Sequence, residues 1–297
     1  MDSSRSSEDD ARGFLRLLLA AAASLVLVAP PAYPGADDAR IEALLASVQG
    51  RSLEARVLGL SEQLVGTPYA HSPLGEGEGQ DPDPRLRLDR VDCLTFVETV
   101  MALALSSSEE DVLHVLDSIR YRARPGYAER NHLMEAGWLP SNAAKGFVRD
   151  VTPQLGGEGV LRDSKVIGPE AWASTTARAL ALPPEARLTG RFPLSVLPAD
   201  QVAARAARWP SGTLLLVVRE DAPWRITRVS HLGFVVQRGG RTFLRHATRG
   251  WKDGVVDEEL SHLLARHARY TWKVQGVSLW EVRDPRPSPE AVSSTTR

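Results

Sequence analysis

The sequence contains a single cysteine in 297 residues, which excludes an intramolecular disulfide and a Cys-rich zinc site. It also lacks an excess of charge of either sign, since the net charge is −1 and the isoelectric point is about 6.7. A nucleic-acid-binding surface needs a basic stripe, so we expect no nucleic-acid partner. Internal repeats and strong linkers are absent as well, so nothing indicates a repeat protein or two separate domains.

A long hydrophobic run is also missing. The apolar stretch at residues 17–28 is shorter than the roughly 20 residues that a membrane-spanning helix needs. Arg12 and Arg16 precede it and small residues follow it, which is typical of a signal peptide, although acidic residues ahead of the arginines are unusual there. We therefore predict a signal peptide or N-terminal anchor at residues 1–36. We also predict export to the periplasm or cell envelope, with no stable membrane span after processing.

The remaining chain can bury a sizeable core, because 43% of its residues are apolar and 25% are charged. We predict one folded domain over residues 37–284. Residues 285–297 are rich in Pro, Ser and Thr and are predicted to form a disordered tail.

Hydrophobic periodicity and turn signals indicate an α+β protein, with helices first and most strands in the last third. Residues 120–142 are polar and aromatic without regular periodicity, which is typical of either a functional segment or a plain surface loop. The predicted helices cover residues 37–65, 93–105, 108–119, 169–180, 199–208 and 257–268, and the predicted strands cover residues 213–218, 230–236, 241–247 and 276–282.

The only cysteine, Cys93, is predicted to lie in the first turn of a helix. Asp92 is a good N-cap, because its carboxylate can accept hydrogen bonds from free backbone N–H groups. A thiol at this place lies at the positive end of the helix dipole, which favours the nucleophilic thiolate. The alternative interpretation is a small buried core cysteine at which a helix happens to begin.

Two histidines are predicted to be neighbours on one hairpin. If Gly239 and Gly240 form its turn, paired residue numbers sum to 479, which places Gly233 opposite His246. His231 and His246 are then diagonal neighbours on the same face of the sheet, within reach of two imidazole rings. Taken alone, each histidine could equally be a satisfied polar group on a half-buried strand.

A cysteine nucleophile needs a base, and the base needs a group that orients it. If the helix of Cys93 packs on the antiparallel sheet, His231 can pair with the thiol and His246 can hold the ring of His231. The combination favours catalysis over three separate structural roles.

Three segments together resemble the signature of the NlpC-type, papain-like cysteine peptidases of the bacterial cell wall. They are D-C-L-T-F at residues 92–96, S-H-L-G-F-V at 230–235 and L-R-H-A at 244–247. The upstream G-T-P-Y at residues 66–69 is also similar to that family, and the resemblance extends from about residue 60 to residue 280.

The resemblance implies an α+β, papain-like fold with a nucleophile helix packed on an antiparallel sheet. It assigns the nucleophile to Cys93, the base to His231 and the third catalytic residue to His246. Tyr69 is then a supporting residue beside the nucleophile. The backbone N–H of Cys93, at the helix start that Asp92 caps, would contribute to the oxyanion hole.

The sequence is most similar to the N-acetylmuramoyl-L-alanine amidase-like branch of that family. The resemblance implies an insertion between about residues 107 and 210 that shapes the substrate groove of a single catalytic domain. Carboxylates of a stem peptide would suit an arginine cluster, to which Arg122 and Arg124 could also contribute. The predicted substrate-binding residues are Arg120, Arg130, Asn131, His132 and Trp138.

The expected function is that of an exported cysteine amidase or peptidase acting on peptidoglycan or muropeptides, with no cofactor and no metal. The bond is either the lactyl–L-Ala amide or one within the stem peptide, such as γ-D-Glu to diaminopimelate. Alternatives are an acyltransferase with the same three residues, a wall-binding protein without activity, and a zinc hydrolase using Cys93, His231 and His246. No H-E-x-x-H motif supports zinc, and no SH3-like or LysM-like repeats explain wall targeting.

Overall fold

The computed structural model describes residues 34–249 and 252–286 of the chain. Nearly all of the predicted signal segment, 1–36, and of the predicted tail, 285–297, lies outside these ranges, so both stay predictions. None of the helices within the described ranges is long and apolar enough to cross a lipid bilayer.

Two helices, α1 (Pro34–Ser47) and α2 (Leu53–Gln63), replace the single helix predicted over residues 37–65. Gly50 turns the chain between them with a φ of +74°, which residues with a Cβ rarely adopt. Ser52 then begins the second helix, because its hydroxyl accepts a hydrogen bond from the N–H of Ala55 at 3.3 Å. The apolar periodicity predicts helix both before and after Gly50, as observed, but a periodic pattern does not indicate a short turn between two helices.

The helix that carries the cysteine, α3 (Cys93–Leu105), begins and ends where predicted. The next helix, α4 (Glu109–Arg120), is capped by Ser108 as predicted. All residues of α3 from Thr95 onward are buried, so this helix has no solvent face. It packs between α2, α4 and the sheet, which makes it the centre of the main core.

The one charged side chain on α3, Glu98, forms an ion pair with an arginine inside the core. Its Oε2 accepts a hydrogen bond from Nε of Arg120 at 3.0 Å, and its Oε1 accepts one from Nε1 of Trp138 at 2.9 Å. Both partners are almost completely enclosed. This placement does not support the prediction that Arg120 and Trp138 bind substrate, because both side chains are buried and bind Glu98 through Nε and Nε1 within the core.

The segment after α4 contains more regular structure than its sequence indicated. The strands at residues 148–150, 161–167 and 190–198 were not predicted, and the helix predicted over residues 169–180 breaks into two. Part of this segment encloses a small core of its own around Trp172 and Ile167. Its elements are a 3-10 turn (Tyr127–Glu129), a π-helical turn (Met134–Trp138), α5 (Leu139–Ala144), β1 (Val148–Asp150), α6 (Thr152–Gly156), β2 (Leu161–Ile167), α7 (Pro169–Ala173), α8 (Thr175–Ala179), a 3-10 turn (Pro184–Ala186), β3 (Gly190–Pro198), α9 (Ala199–Arg205) and a 3-10 turn (Ala206–Arg208).

The last third confirms the four predicted strands and adds a fifth. Residues 257–259, predicted as the start of a helix, instead continue a strand, because they pair with β6 and Asp257 forms an ion pair with Arg245. The elements are β4 (Leu214–Arg219), β5 (Val229–Arg238), β6 (Arg241–Thr248), β7 (Gly254–Glu259), α10 (Leu260–His267) and β8 (Val274–Val282).

In the described ranges, eight strands form one antiparallel sheet in the order β2-β3-β8-β4-β5-β6-β7, with β1 also paired to β8. Its two faces bury different cores. Leu232 and Phe234 of β5 pack with α3, whereas Val235 of β5 and Leu244 of β6 pack on the other side with Leu263 of α10. The mixed α+β architecture with an antiparallel sheet is therefore confirmed.

The register of the β5–β6 hairpin is the predicted one. Arg238 pairs with Arg241 and Phe234 with Arg245, so paired numbers sum to 479. Gly239 and Gly240 have φ values of +58° and +72°, as a two-residue type I′ turn requires.

Replacing Glu98 with Ala leaves Arg120 buried without a counter-charge, so we expect the free energy of unfolding to fall by about 3–5 kcal/mol. The exposed Glu62→Ala is the matched control and is expected to change the free energy of unfolding by less than about 0.5 kcal/mol. Urea denaturation followed by circular dichroism measures both. Equal losses in the two variants would contradict a structural role for Glu98.

Candidate active site

Asp92 holds the start of the Cys93 helix in a reciprocal capping box. Its Oδ1 accepts a hydrogen bond from the N–H of Thr95 at 2.8 Å, while the hydroxyl of Thr95 accepts one from the N–H of Asp92 at 2.8 Å. Its Oδ2 also accepts the N–H of Ser72 at 3.1 Å. The Asp92 carboxylate therefore holds the first turn of α3 and the loop at Ser72 together beside Cys93, in line with the predicted support role.

The thiol of Cys93 is protonated at neutral pH. Its pKa is raised to about 12, mainly by burial and then by the negative charge of Asp92, although the side chain reaches the surface in part. The amide groups of Leu232, Leu94 and Cys93 itself act in the opposite direction. The expectation that the helix start favours thiolate is therefore wrong for the resting site, because loss of water outweighs the helix dipole.

His231 and His246 meet as predicted. Nε2 of His231 and Nδ1 of His246 are hydrogen-bonded, with ring centroids 4.7 Å apart and ring planes at 84°. Gly233 lies between them, because a Cβ there would come within 2.8 Å of the His246 Cβ and would clash with the carbonyl of Arg245. Only glycine permits this close approach of the two strands.

The relation of this pair to Cys93 differs from the prediction. Strand alternation places both histidines on the sheet face opposite the one that packs on α3. The β5–β6 pairing ends at Phe234, and the amide of Leu232, beyond that end and directly after His231, interacts with the Cys93 sulfur. The Cys93 sulfur thus meets the backbone directly after His231, where the two strands separate. Within the described residues, no hydrogen bond joins Cys93 to His231.

A β-bulge lies immediately before His231. Val217 of β4 pairs with His231 and the next residue, Val218, pairs with Val229, so Ser230 is the extra residue. Its hydroxyl donates to the carbonyl of Val217 at 3.2 Å. Bulges of this kind redirect side chains and are common beside active sites.

The structure adds Glu258, which sequence reasoning missed. This fully buried carboxylate lies 3.2 Å from Nε2 of His246 through its Oε2. Arg266 and His262 of α10 also contact it, at 2.7 Å each. Because residues 257–268 were read as one helix, Glu258 was not recognised as a strand residue. The connection between Thr248 and Gly254 contains no two-residue turn motif, so no sequence signal sets the pairing that brings Glu258 to His246.

All three imidazoles near the site are neutral at pH 7. Burial lowers the pKa of His231 well below its ordinary value, and His246 and His267 lower it further. Burial also lowers the pKa of His246, although Glu258 acts in the opposite direction. His267, another residue without a predicted role, lies with its ring centroid 6.1 Å from that of His231, and burial lowers its pKa to about 4. A neutral His231 can accept a proton.

Tyr69 lies beside the nucleophile candidate, as the resemblance implied. Its backbone pairs with Val91, two residues before Cys93. The pKa of Tyr69 is raised to about 12, mainly by burial and then by Cys93 and Asp92. The phenol therefore keeps its proton at neutral pH and is available as a hydrogen-bond donor.

The other predicted substrate-binding residues are committed to the protein itself. Arg130 forms ion pairs with Glu76 at 2.7 Å and Asp81 at 2.9 Å, with only 13% of its side chain exposed. Asn131 is buried and donates to a backbone carbonyl, and His132 bonds the carbonyl of Tyr127 at 2.7 Å. In the described part of the chain, no hydrogen bond or ion pair connects these three residues with Cys93 or its histidines. Their contacts stabilise the insertion rather than present free groups to a ligand.

The model of the AmiA-like family, described as N-acetylmuramoyl-L-alanine amidase-like, matches residues 59–270. The chain belongs to this family. The match includes Tyr69, Cys93, His231, His246 and Glu258 and therefore the whole candidate site. No curated protein sequence matches the chain.

Solved structures share the AmiA-like fold. A Legionella pneumophila protein of the DUF1460 family has a TM-score of 0.73 and 23% identity, covering 83% of this chain and 94% of its own. An N-acetylmuramoyl-L-alanine amidase from Bacteroides uniformis has a TM-score of 0.60 and 23% identity, covering 78% and 99%. A putative xylanase from Bacteroides fragilis has a TM-score of 0.60 and 24% identity, covering 75% and 99%. At these identities the likeness shows the fold alone.

The protonation of Cys93 can be measured directly, because the chain has no other thiol. We expect thiolate absorbance of the native protein to develop only toward pH 12, whereas the urea-unfolded chain titrates near the ordinary value of 9.0. The Cys93→Ser protein provides the baseline for a difference spectrum. A native thiol that is half ionised below pH 9 would contradict this electrostatic description.

Proposed function

We propose that this protein is a cysteine amidase of the NlpC-type, papain-like class, acting on peptidoglycan or muropeptides. The observation that carries the proposal is the hydrogen-bonded His231–His246 pair together with the amide of Leu232, the residue after His231, which interacts with the helix-start thiol of Cys93. Membership of the N-acetylmuramoyl-L-alanine amidase-like family supports the choice of an amide as the bond cleaved.

The reaction follows from the protonation states of the resting site. Nδ1 of His231, the ring nitrogen that does not face His246, accepts the Cys93 proton as the sulfur attacks the amide carbonyl. The tetrahedral intermediate collapses to a thioester, and the leaving amine takes the proton from His231. Water then attacks the thioester, with His231 removing its proton and returning it to the sulfur. Because thiol and imidazole both start neutral, proton transfer accompanies attack instead of preceding it.

Two kinds of donor are available for the oxyanion. The amides of Cys93 and Leu94 already interact with the sulfur at the helix start, so they lie beside any carbonyl that the sulfur attacks. The protonated Tyr69 is the second kind, and we assign it to the stabilisation of the same oxygen.

The family favours the lactyl–L-Ala amide over the γ-D-Glu–diaminopimelate bond, and the same three residues could also pass the acyl group to an amine.

A xylanase reaction would need a pair of carboxylates flanking a sugar linkage. Asp92 is committed to the helix cap and Glu258 to Arg266, so neither is free for that role. Among the described residues, no three His, Cys, Asp or Glu side chains are arranged to hold a metal ion, which gives the zinc alternative no geometric support.

A peptidoglycan substrate places the enzyme in the periplasm or cell envelope. We therefore propose that the basic residues and apolar run within residues 1–36 direct its export.

Digestion of purified muropeptides, read by mass spectrometry, tests the function. We expect release of free stem peptide and sugar by the wild type, and a loss of more than about 10⁴-fold in Cys93→Ala, because the thioester cannot form. Addition of a metal chelator should change nothing.

Other products would indicate other reactions. A shortened stem would replace the amidase by an endopeptidase, and acyl transfer to an added amine would replace it by an acyltransferase. Activity that persists in Cys93→Ala would contradict cysteine catalysis.

Removing the hydroxyl of Tyr69 tests its oxyanion role. Tyr69→Phe is expected to lower kcat by about 10²-fold with little change in KM, because the donor acts mainly on the transition state. Tyr127→Phe, which loses a hydroxyl bonded to the carbonyl of Leu180, serves as control and should keep kcat within about twofold. Equal kcat values in both variants would remove Tyr69 from the mechanism.

A further inference from the structure

Glu258 occupies the same sheet face as the two histidines, although the mechanism above gives it no task. His246 pairs with Val256, and Glu258 is two residues further along β7, so strand alternation brings both side chains to one side. The carboxylate is completely buried and its Oε2 lies 3.2 Å from Nε2 of His246.

The carboxylate is ionised. Burial alone would raise the pKa of Glu258, but the contact with His246 at 3.2 Å and the hydrogen bonds and charge of Arg266 lower it below its ordinary range. Arg266 donates through Nε to Oε1 at 3.0 Å and through Nη2 to Oε2 at 2.7 Å, a bidentate pairing. Glu258 can therefore only accept hydrogen bonds.

An acceptor at this position determines where the ring protons lie. Nε2 of His246 faces the carboxylate and must carry the single proton of the neutral ring, which leaves Nδ1 of His246 as a lone pair. Nε2 of His231 must then donate in the hydrogen bond between the two rings. Nδ1 of His231 is left without a proton.

We propose that Glu258 is a positioning residue for the reaction, which acts through His246 to select the His231 tautomer with a free Nδ1. This inference rests on the proposed cysteine mechanism, because a free Nδ1 is what the Cys93 proton requires. Two positioning residues, His246 and Glu258, then stand in line behind the catalytic pair Cys93 and His231.

A second role for the same carboxylate is purely structural, since its pairing with Arg266 also fastens α10 to β7. That role predicts a change in stability and none in ring tautomers or proton transfer. The groups around His246 that titrate or carry charge are His231, Glu258, Arg266, Asp257 and His267.

Glu258→Gln is the test variant, and Glu259→Gln, next to it on the partly exposed edge of β7, is the matched control. We expect Glu258→Gln to lower kcat on muropeptides by about 10²-fold or more with KM within about threefold, and to alter the pH profile of kcat/KM. The control should match the wild type. Iodoacetamide alkylation of Cys93 at neutral pH, which needs no substrate, should slow at least about tenfold in Glu258→Gln alone.

Long-range ¹⁵N–¹H correlation spectra of the wild type give a readout that does not depend on how the variant folds. We expect Nε2–H tautomers for both rings, assigned through the signals lost in His231→Gln and His246→Gln. A proton on Nδ1 of either ring would overturn the proposal. So would a folded Glu258→Gln protein with the alkylation rate and kcat of the control.

Failure of the proposed function gives a different result. A wild type that cleaves no muropeptide would refute the substrate, while ring tautomers and alkylation rates would still decide the role of Glu258.

Discussion

The pairing of β5 with β6, and the point at which it stops, determines which groups meet at the site. From the turn at Gly239–Gly240 the register continues to Phe234 and Arg245, and it carries His231 and His246 to the same face. Beyond that point the strands separate, and the backbone of Leu232 interacts with the sulfur of Cys93 instead of continuing the ladder. A shift by one residue would move the two rings to opposite faces and separate base from orienting group.

Burial sets the charge state that this geometry works with. It raises the pKa of the thiol and lowers the pKa of both histidines, so the resting site holds three neutral groups beside one buried anion, Glu258. The helix dipole at Cys93 is too weak to reverse the cost of removing water from a thiolate. Deprotonation of the thiol in such a site requires a free lone pair on His231 and not a preformed thiolate–imidazolium pair. The tautomers of the two rings decide which nitrogen of His231 carries that lone pair.

In the insertion, arginine and aromatic residues that stabilise the fold show the same sequence pattern as residues that bind a ligand. Arg120 and Trp138 meet Glu98 in the core, and Arg130 meets Glu76 and Asp81. Each cation has an acidic partner 22 to 54 positions away in the chain. No local pattern indicates such a partner, so composition alone predicted free cationic groups where the fold has paired ones.

The sequence by itself determined what depends on neighbours in the chain. The start of the Cys93 helix follows from the Asp92 capping box, and the hairpin register follows from two adjacent glycines, so Cys93, His231 and His246 could be named in advance. Tyr69 was named only through the family resemblance. Only the tertiary structure decided the strand at residues 254–259, the arrival of Glu258 at His246 and the pKa of the thiol. These depend on partners from distant segments and on the exclusion of water by the whole fold, and neither quantity is present in a local pattern of residues.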